Sequence, residues 1–208
     1  LVAIVSRMER KLALVGASLG GMAGILAEGD LAPGSFASLT LVDIAPQMEV
    51  SGVNRIVGFM EEHIETGFAS PEEASEAIAR YMPLRRKRSS GDYLRHKADG
   101  RYYWHWDPAF ILSSRTVSKR DEGRHQRQFE ALSQATQNLT LPVHLIRGGS
   151  SDLVSEDAVE HLRELAPHAE YTDIAGATHM VVGDANDSFS HAILDFLKRH
   201  HSMRGRET

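Results

Sequence analysis

Three separated segments of this chain hold residues that could do chemistry together. In "ALVGASLGGMAG", Ala13–Gly24, the residues Gly16, Ala17, Ser18, Leu19 and Gly20 spell G-x-S-x-G directly after an apolar run. A serine at a sharp strand-to-helix turn has its hydroxyl raised above the sheet. The positive helix end and the backbone N–H of Leu19 then face the oxyanion that its attack on a carbonyl would create. Such a turn needs small neighbours two before and two after the serine. Gly16 and Gly20 meet that need, and Gly21 lets helix and sheet approach closely. The serine also needs a base to take its proton and an acid to orient the base. His179 in "DIAGATHMV" and Asp152 in "LIRGGSSDLVS" each follow a predicted buried strand, in the chain order Ser, acid, His. Asp43, at the end of "LTLVDIAP", is the other candidate for the acid. Asp152 is favoured, although Asp157 is close by.

Each residue has a plainer reading. Ser18 can be an ordinary helix N-cap, His179 a loop histidine and Asp152 a turn residue. A glycine-rich turn after a strand also suits a dinucleotide, with Asp43 placed like a ribose-binding acid and Tyr93 and Lys97 in "YLRHK" placed like a dehydrogenase pair. The glycines argue against an NAD(P)-dependent oxidoreductase. Gly16, Gly20 and Gly21 do not make G-x-G-x-x-G, and Met22 stands where the form G-x-x-x-G-x-G needs its last glycine. No histidine pair has metal-ligand spacing beside a suitable carboxylate, so no metal is expected. His144 falls within an apolar run and is expected in the core, and His200 and His201 lie in the tail.

The elements that must position these residues follow from the apolar pattern. Buried strands are predicted at Lys11–Gly16, Leu39–Pro46, 141–149 and 169–176. A helix follows Ser18 to about Glu28. "SPEEASEAIARYM" opens a helix with Ser70 as N-cap, Pro71 in its first position and Glu73 closing a capping box. "SEDAVEHLRELAP" is a helix capped by Ser155, and "DSFSHAILDFLKRHH" is a closing amphipathic helix. "LVAIVSRMER" reads as the last two or three turns of another. Strands alternating with helices argue for a parallel α/β sheet. The stretch at about 50–139 is polar and helix-leaning, and it reads as an insertion acting as a lid. There Trp104, Trp106 and Phe110, beside Tyr102 and Tyr103, are candidates to line an apolar acyl or aromatic pocket, with plain lid packing as the alternative.

Composition narrows the function classes. The chain has 208 residues, enough for one domain carrying a large insertion. A net charge of -5 gives no electrostatic case for nucleic acid, so "RRKR" (Arg85–Arg88) is read as a solvated face. No apolar run approaches the ~18 residues of a membrane span. The absence of cysteine removes thiol nucleophiles, thiolate metal sites and disulfides, and it fits a reducing, cytoplasmic setting. The sequon at Asn138 matters only in a secreted protein. The expected partner is a small-molecule substrate; the oligomeric state is not readable.

In order along the chain, "VGASLGGMAG", "LVDIAP", "WHWDP", "LIRGGSSDLVS" and "GATHMVVGDANDSFSHAILDFL" resemble segments of the α/β-hydrolase superfamily. The branch is that of capped esterases, epoxide-hydrolase-like and cofactor-free peroxidase-like proteins. The resemblance covers most of the chain outside the variable middle. It implies a single α/β-hydrolase domain over 1–208, mostly parallel, with helices on both faces and a helical cap at about 50–139. It also implies Ser18 as nucleophile, His179 as general base and then acid, and Asp152 as the orienting carboxylate. Serine at 18, where epoxide and haloalkane hydrolases carry Asp, disfavours those two chemistries.

The expected activity is a cofactor-free serine hydrolase acting on a carboxylic ester or related acyl substrate. A carbon–carbon hydrolase or a peroxidase-like enzyme would use the same triad, and an inactive fragment or binding protein is the non-enzymatic alternative. Family members begin with further strands and a His-Gly loop upstream of the serine strand. The chain is therefore expected to be incomplete at its N-terminus, with an unpaired serine-strand edge and poor solubility or activity when made alone.

Overall fold

The computed structural model describes residues 1–82, 93–112 and 123–201. The "RRKR" run lies outside them. The chain divides into two compact units, one built from Leu1–Ser51 and the chain from His125 onward, the other from Gly52–Arg124.

The first unit opens with α1 (Val2–Val5), a single turn with no buried residue. The sequence predicts a longer helix. A short β-branched stretch that buries nothing has too little packing to extend one. Next come β1 (Leu12–Ala17), α2 (Leu19–Leu26), a π-helical turn at Ala27–Leu31, and β2 (Phe36–Val42). The π turn is held by a residue whose role the sequence hides. Glu28 is buried, and its two carboxylate oxygens accept from the amides of Gly34 (2.7 Å) and Phe36 (3.0 Å), fastening the loop into β2.

In the second unit, α3 (Val50–Glu61, whose first two residues belong to the first unit) and α4 (Pro71–Tyr81) precede an antiparallel hairpin of β3 (Leu94–His96) and β4 (Tyr102–Trp104). The hairpin is absent from the sequence expectation of a helical insertion. As expected, Ser70 caps α4 by accepting from the Glu73 amide, with Pro71 in the first turn. Phe68, Ala74, Ala77 and Trp104 form the core of this unit.

The first unit resumes with α5 (Arg124–Gln137), β5 (Val143–Gly148), α6 (Glu156–Leu165), β6 (Glu170–Ile174), α7 (Val181–Asp184) and α8 (Asn186–His200). Ser155 caps α6 through the Ala158 amide. The second unit is thus shorter than the insertion drawn at about 50–139, because the chain from His125, nearly all of α5, counts with the sheet.

The four strands pair in parallel in the order β1-β2-β5-β6. All of β5 is buried, as is β2 except Ala37, as expected of strands covered on both faces. Strand alternation separates those faces. Leu39 and Leu41 point toward α2, whose Gly21 and Gly24 lie close to them. Val42 and Ile146 point toward α8, meeting Phe189, Ala192 and Ile193. β1 is mostly exposed and has one strand neighbour among the described residues. Among those residues no helix is long and apolar enough to cross a membrane.

The α8 face carries buried polar groups. Ser38 Oγ meets His201 Nε2 at 2.8 Å, and His144 Nε2 meets Thr172 Oγ1 at 2.8 Å. His144 lies under the Phe196 ring, with its Nδ1 buried and unpartnered. Burial lowers its pKa to about 4, and Arg199 and His200 push the same way against Glu170. Between its ordinary value of 6.5 and about 4, the unfolded chain binds a proton there that the folded chain refuses. Stability contributed by neutral His144 is therefore present above that window and lost as pH falls through it. In urea titrations across this range, His144→Gln is expected to show a shallower fall in midpoint with acidity than the wild type. An equal slope would show that His144 does not carry the effect.

Candidate functional site

The site is assembled at the C-terminal ends of the parallel strands, where ligands gather in open α/β sheets. At the end of β1, Ser18 has φ 48° and ψ -120°, a conformation that costs a non-glycine residue ~1–3 kcal/mol. Its side chain makes no capping bond to α2, so the hydroxyl is not used as an N-cap. The Ser18 amide donates to Val42 O (3.3 Å), which docks the turn on the end of β2. Leu19 opens α2, so its amide has no intrahelical acceptor.

The glycines act differently from expectation in one respect. A Cβ at Gly16 would lie 2.6 Å from the Gly20 carbonyl, so that position admits no side chain. A Cβ at Gly20 would meet nothing within 4 Å, whereas one at Gly21 would strike Ile44 Cγ2 at 2.3 Å. The tight approach of α2 is made at Gly16 and Gly21, and Gly20 is not required small by its neighbours.

Immediately after β2, Asp43 also has positive φ, 46°. The sequence extends that strand to Pro46, but the backbone leaves it at Val42 and turns the carboxylate inward. Asp43 is fully buried. Its Oδ1 accepts from Gly148 N (2.9 Å), and its Oδ2 from Ser151 Oγ (2.6 Å). Oδ2 is also 2.8 Å from His179 Nδ1. The carboxylate on the histidine ring is therefore that of Asp43, not the favoured Asp152, whose residue is exposed on the loop after β5. The physical reason lies in the loop. Leu153 and Val154 are buried, and Ser151 turns inward to donate to Asp43 while accepting from the amides of Leu153 (3.1 Å) and Val154 (3.2 Å).

The histidine loop is braced from both sides. Ser150 N donates to Ala177 O (2.8 Å), joining it to the loop after β5. Thr178 donates to Asp184 Oδ2 through its amide (2.9 Å) and its hydroxyl (2.5 Å). A Cβ at Gly148 would lie 2.3 Å from Thr178 O, so this approach also depends on a bare backbone. His179 is mostly buried, and with Nδ1 on Asp43 its other nitrogen, Nε2, is left for a reacting group. Ser18, Asp43 and His179 thus share one sheet edge.

Sequence reasoning missed Ser151 and Asp184 as partners. The available signal was an acid or hydroxyl beside residues that had to be buried. Gly148, Ser151 and His179 leave the Asp43 oxygens committed, unlike a free ribose acceptor, and Tyr93 and Lys97 belong to the other unit. There Trp104 is a core residue with its Nε1 on Glu62 O (3.3 Å), Trp106 is half-buried, and Phe110 is exposed. Among the described residues no group of three His, Cys, Asp or Glu could hold a metal ion.

No protein-family model matches the chain, and no curated protein sequence does. Solved structures do. (E)-2-(Acetamidomethylene)succinate hydrolase superposes with TM-score 0.77 at 21% identity, over 95% of this chain and 69% of its own. An esterase from Mycobacterium tuberculosis gives TM-score 0.66 at 23% identity, covering 94% and 65%. N-Formylmaleamic acid deformylase from Pseudomonas putida gives 0.62 at 18%, covering 92% and 69%. The chain spans about two-thirds of the length of these structures. The fold they share with it is the α/β-hydrolase fold.

Ser151→Ala removes one of three donors from a buried carboxylate and leaves two amides without their acceptor. The expected loss is ~1–3 kcal/mol in urea unfolding. An unchanged midpoint would show that water replaces the hydroxyl at no cost.

Proposed function

We propose that this chain, with its α/β-hydrolase fold, is a serine hydrolase that works by acyl transfer through Ser18, His179 and Asp43. The observation that carries the reading is the Asp43–His179 hydrogen bond at the strand ends where the positive-φ turn presents Ser18.

His179 Nε2 takes the Ser18 proton as Oγ bonds to the substrate carbonyl carbon. The carbonyl π electrons move to oxygen, and that oxyanion accepts from the Leu19 amide. His179, now protonated and steadied by buried Asp43, gives the proton to the leaving group as its bond to carbon breaks. A water then loses a proton to His179 and attacks the acyl-enzyme. The acid leaves as Ser18 regains its proton. Asp43 holds the ring in one tautomer and stabilises its cationic form.

The first substrate class is a carboxylic ester. Amides are the second, because two of the structural neighbours are named for an acetamido compound and for deformylation. The carboxylate role passes here from Asp152 to Asp43.

An active-site-directed phosphonate is expected to label Ser18 covalently in the wild type and not in Ser18→Ala. Asp43→Asn is expected to lower kcat about 10³–10⁴-fold by permitting the wrong tautomer, with Asp152→Asn within a few-fold of wild type. Collapse in Asp152→Asn with activity retained in Asp43→Asn would reverse the assignment. Labelling elsewhere would remove Ser18 as the nucleophile.

A further inference from the structure

We infer that Arg147 is a positioning residue for the Asp43–His179 pair, acting through the Ser151 hydroxyl; the inference rests on the Ser18 reading above. Arg147 is buried and stands next to Gly148 at the end of β5. A guanidinium so placed is tolerated when its donors are answered. Its Nε donates to Val154 O at 2.7 Å, and one terminal nitrogen donates to Asp173 Oδ2 at 2.6 Å. The exposed carboxylate of Glu156 lies 3.6 Å from that same nitrogen.

The two bonds join different segments. Arg147 and Asp173 face each other in the parallel register of β5 and β6, and the Tyr171 hydroxyl donates to the same Asp173 oxygen at 2.7 Å. The ion pair anchors the guanidinium on β6. From that anchor Nε reaches Val154, at the far end of the loop after β5. The start of the loop is fastened separately. Gly149 N donates to Ile174 O (2.9 Å), and a Cβ at Gly149 would lie 2.5 Å from Asp173 Oδ1. The loop is thus held on β6 where it opens and on Arg147 where it closes.

Val154 is the link to Asp43. Its carbonyl is held by Arg147, and its amide donates to Ser151 Oγ (3.2 Å) beside the amide of Leu153 (3.1 Å). A hydroxyl has one proton and two lone pairs. With an amide on each lone pair, the Ser151 proton is directed at Asp43 Oδ2, 2.6 Å away. That oxygen is the one on His179 Nδ1. Loosening Val154 frees the Ser151 hydroxyl to turn, and Asp43 then loses the donor that steadies Oδ2 for the imidazole. Lysine cannot take over this role. It carries the charge to Asp173 but has no donor midway along its stem for Val154 O.

The test compares the full chain with Arg147→Lys, Asp173→Asn, Ser151→Ala and Arg147→Lys/Ser151→Ala, each shown folded by circular dichroism. Two quantities are read: kcat and KM for p-nitrophenyl acetate, and the rate of Ser18 labelling by a phosphonate, which needs no turnover. Arg147→Lys is expected to lower kcat and the labelling rate about ten- to a hundredfold, with KM within about twofold of wild type. Asp173→Asn, which loosens the anchor, is expected to lower both by less. In the Ser151→Ala background, Arg147→Lys is expected to cost less than about twofold more, because the hydroxyl it positions is gone. A purely stabilising Arg147 would lower the urea midpoint and leave both rates of the folded protein unchanged. Unchanged rates in Arg147→Lys, or in Asp173→Asn should the lysine variant not fold, would overturn the inference, as would losses that multiply independently in the double variant. Ser18→Ala is run beside them. Turnover or labelling that survives there, or a wild type that does not label, removes the Ser18 reading and this role with it. Loss in Ser18→Ala with wild-type rates in Arg147→Lys removes the role of Arg147 alone.

Discussion

The Asp43 carboxylate is withdrawn from water, and a charge so placed is tolerated only when its oxygens are answered. Its three partners come from different places: the last residue of β5, the loop after β5, and the loop after β6. Satisfying one carboxylate therefore fixes three backbone segments relative to the end of β2. Removing any donor leaves part of the charge exposed to a medium that cannot solvate it. The same bond that orients His179 thus helps fold the rim that presents it.

Strain is concentrated at the same edge. Ser18 and Asp43 follow adjacent parallel strands, and both adopt positive φ with a side chain present. Neither conformation would persist in isolation, and the packing beneath them supplies the difference. β2 and β5 are almost wholly buried, Ile44 and Ala45 continue that burial past Asp43, and Ser18 N is tied to Val42 O. A rigid pair of central strands holds Ser18 and Asp43 in positive-φ backbone conformations at the strand ends. The edge strand β1 contributes the turn but little of the core.

The sheet was legible because its information is local. Apolar runs marked all four strands, and N-caps marked α4 and α6. The positions of Ser18 and His179 past strand ends could be read from the sequence because each follows a strand with glycine within three residues. The acid was less legible. Asp152 and Asp43 both follow strands, and only burial separates them: one lies in an open loop and the other beneath it. The inward turn of Ser151 that distinguishes them is a tertiary event, driven by Leu153 and Val154 entering the core. The β3–β4 hairpin was missed for a related reason. Its strands have three residues each, too short for alternation to show, and they are held by packing on Phe68. Gly20 was misjudged because the G-x-S-x-G pattern names it, whereas the space around it does not need it.

Identities of about 20% with structures that superpose well show how little of the side-chain detail the fold itself demands. What cannot be relaxed in this chain is backbone proximity. At Gly16 an added Cβ would run into the next turn, and at Gly148 it would run into the carbonyl of Thr178. Neither obstacle is the flexible end of a side chain, so neither can move aside without shifting a loop of the candidate site. Apolar positions in β2 or β5 can exchange volume with their neighbours at modest cost. The two glycines cannot, since each marks a place where two backbones must touch for serine and histidine to share an edge. The arrangement is thus specified less by the side chains of Ser18, Asp43 and His179 than by the bare backbone that lets their loops converge.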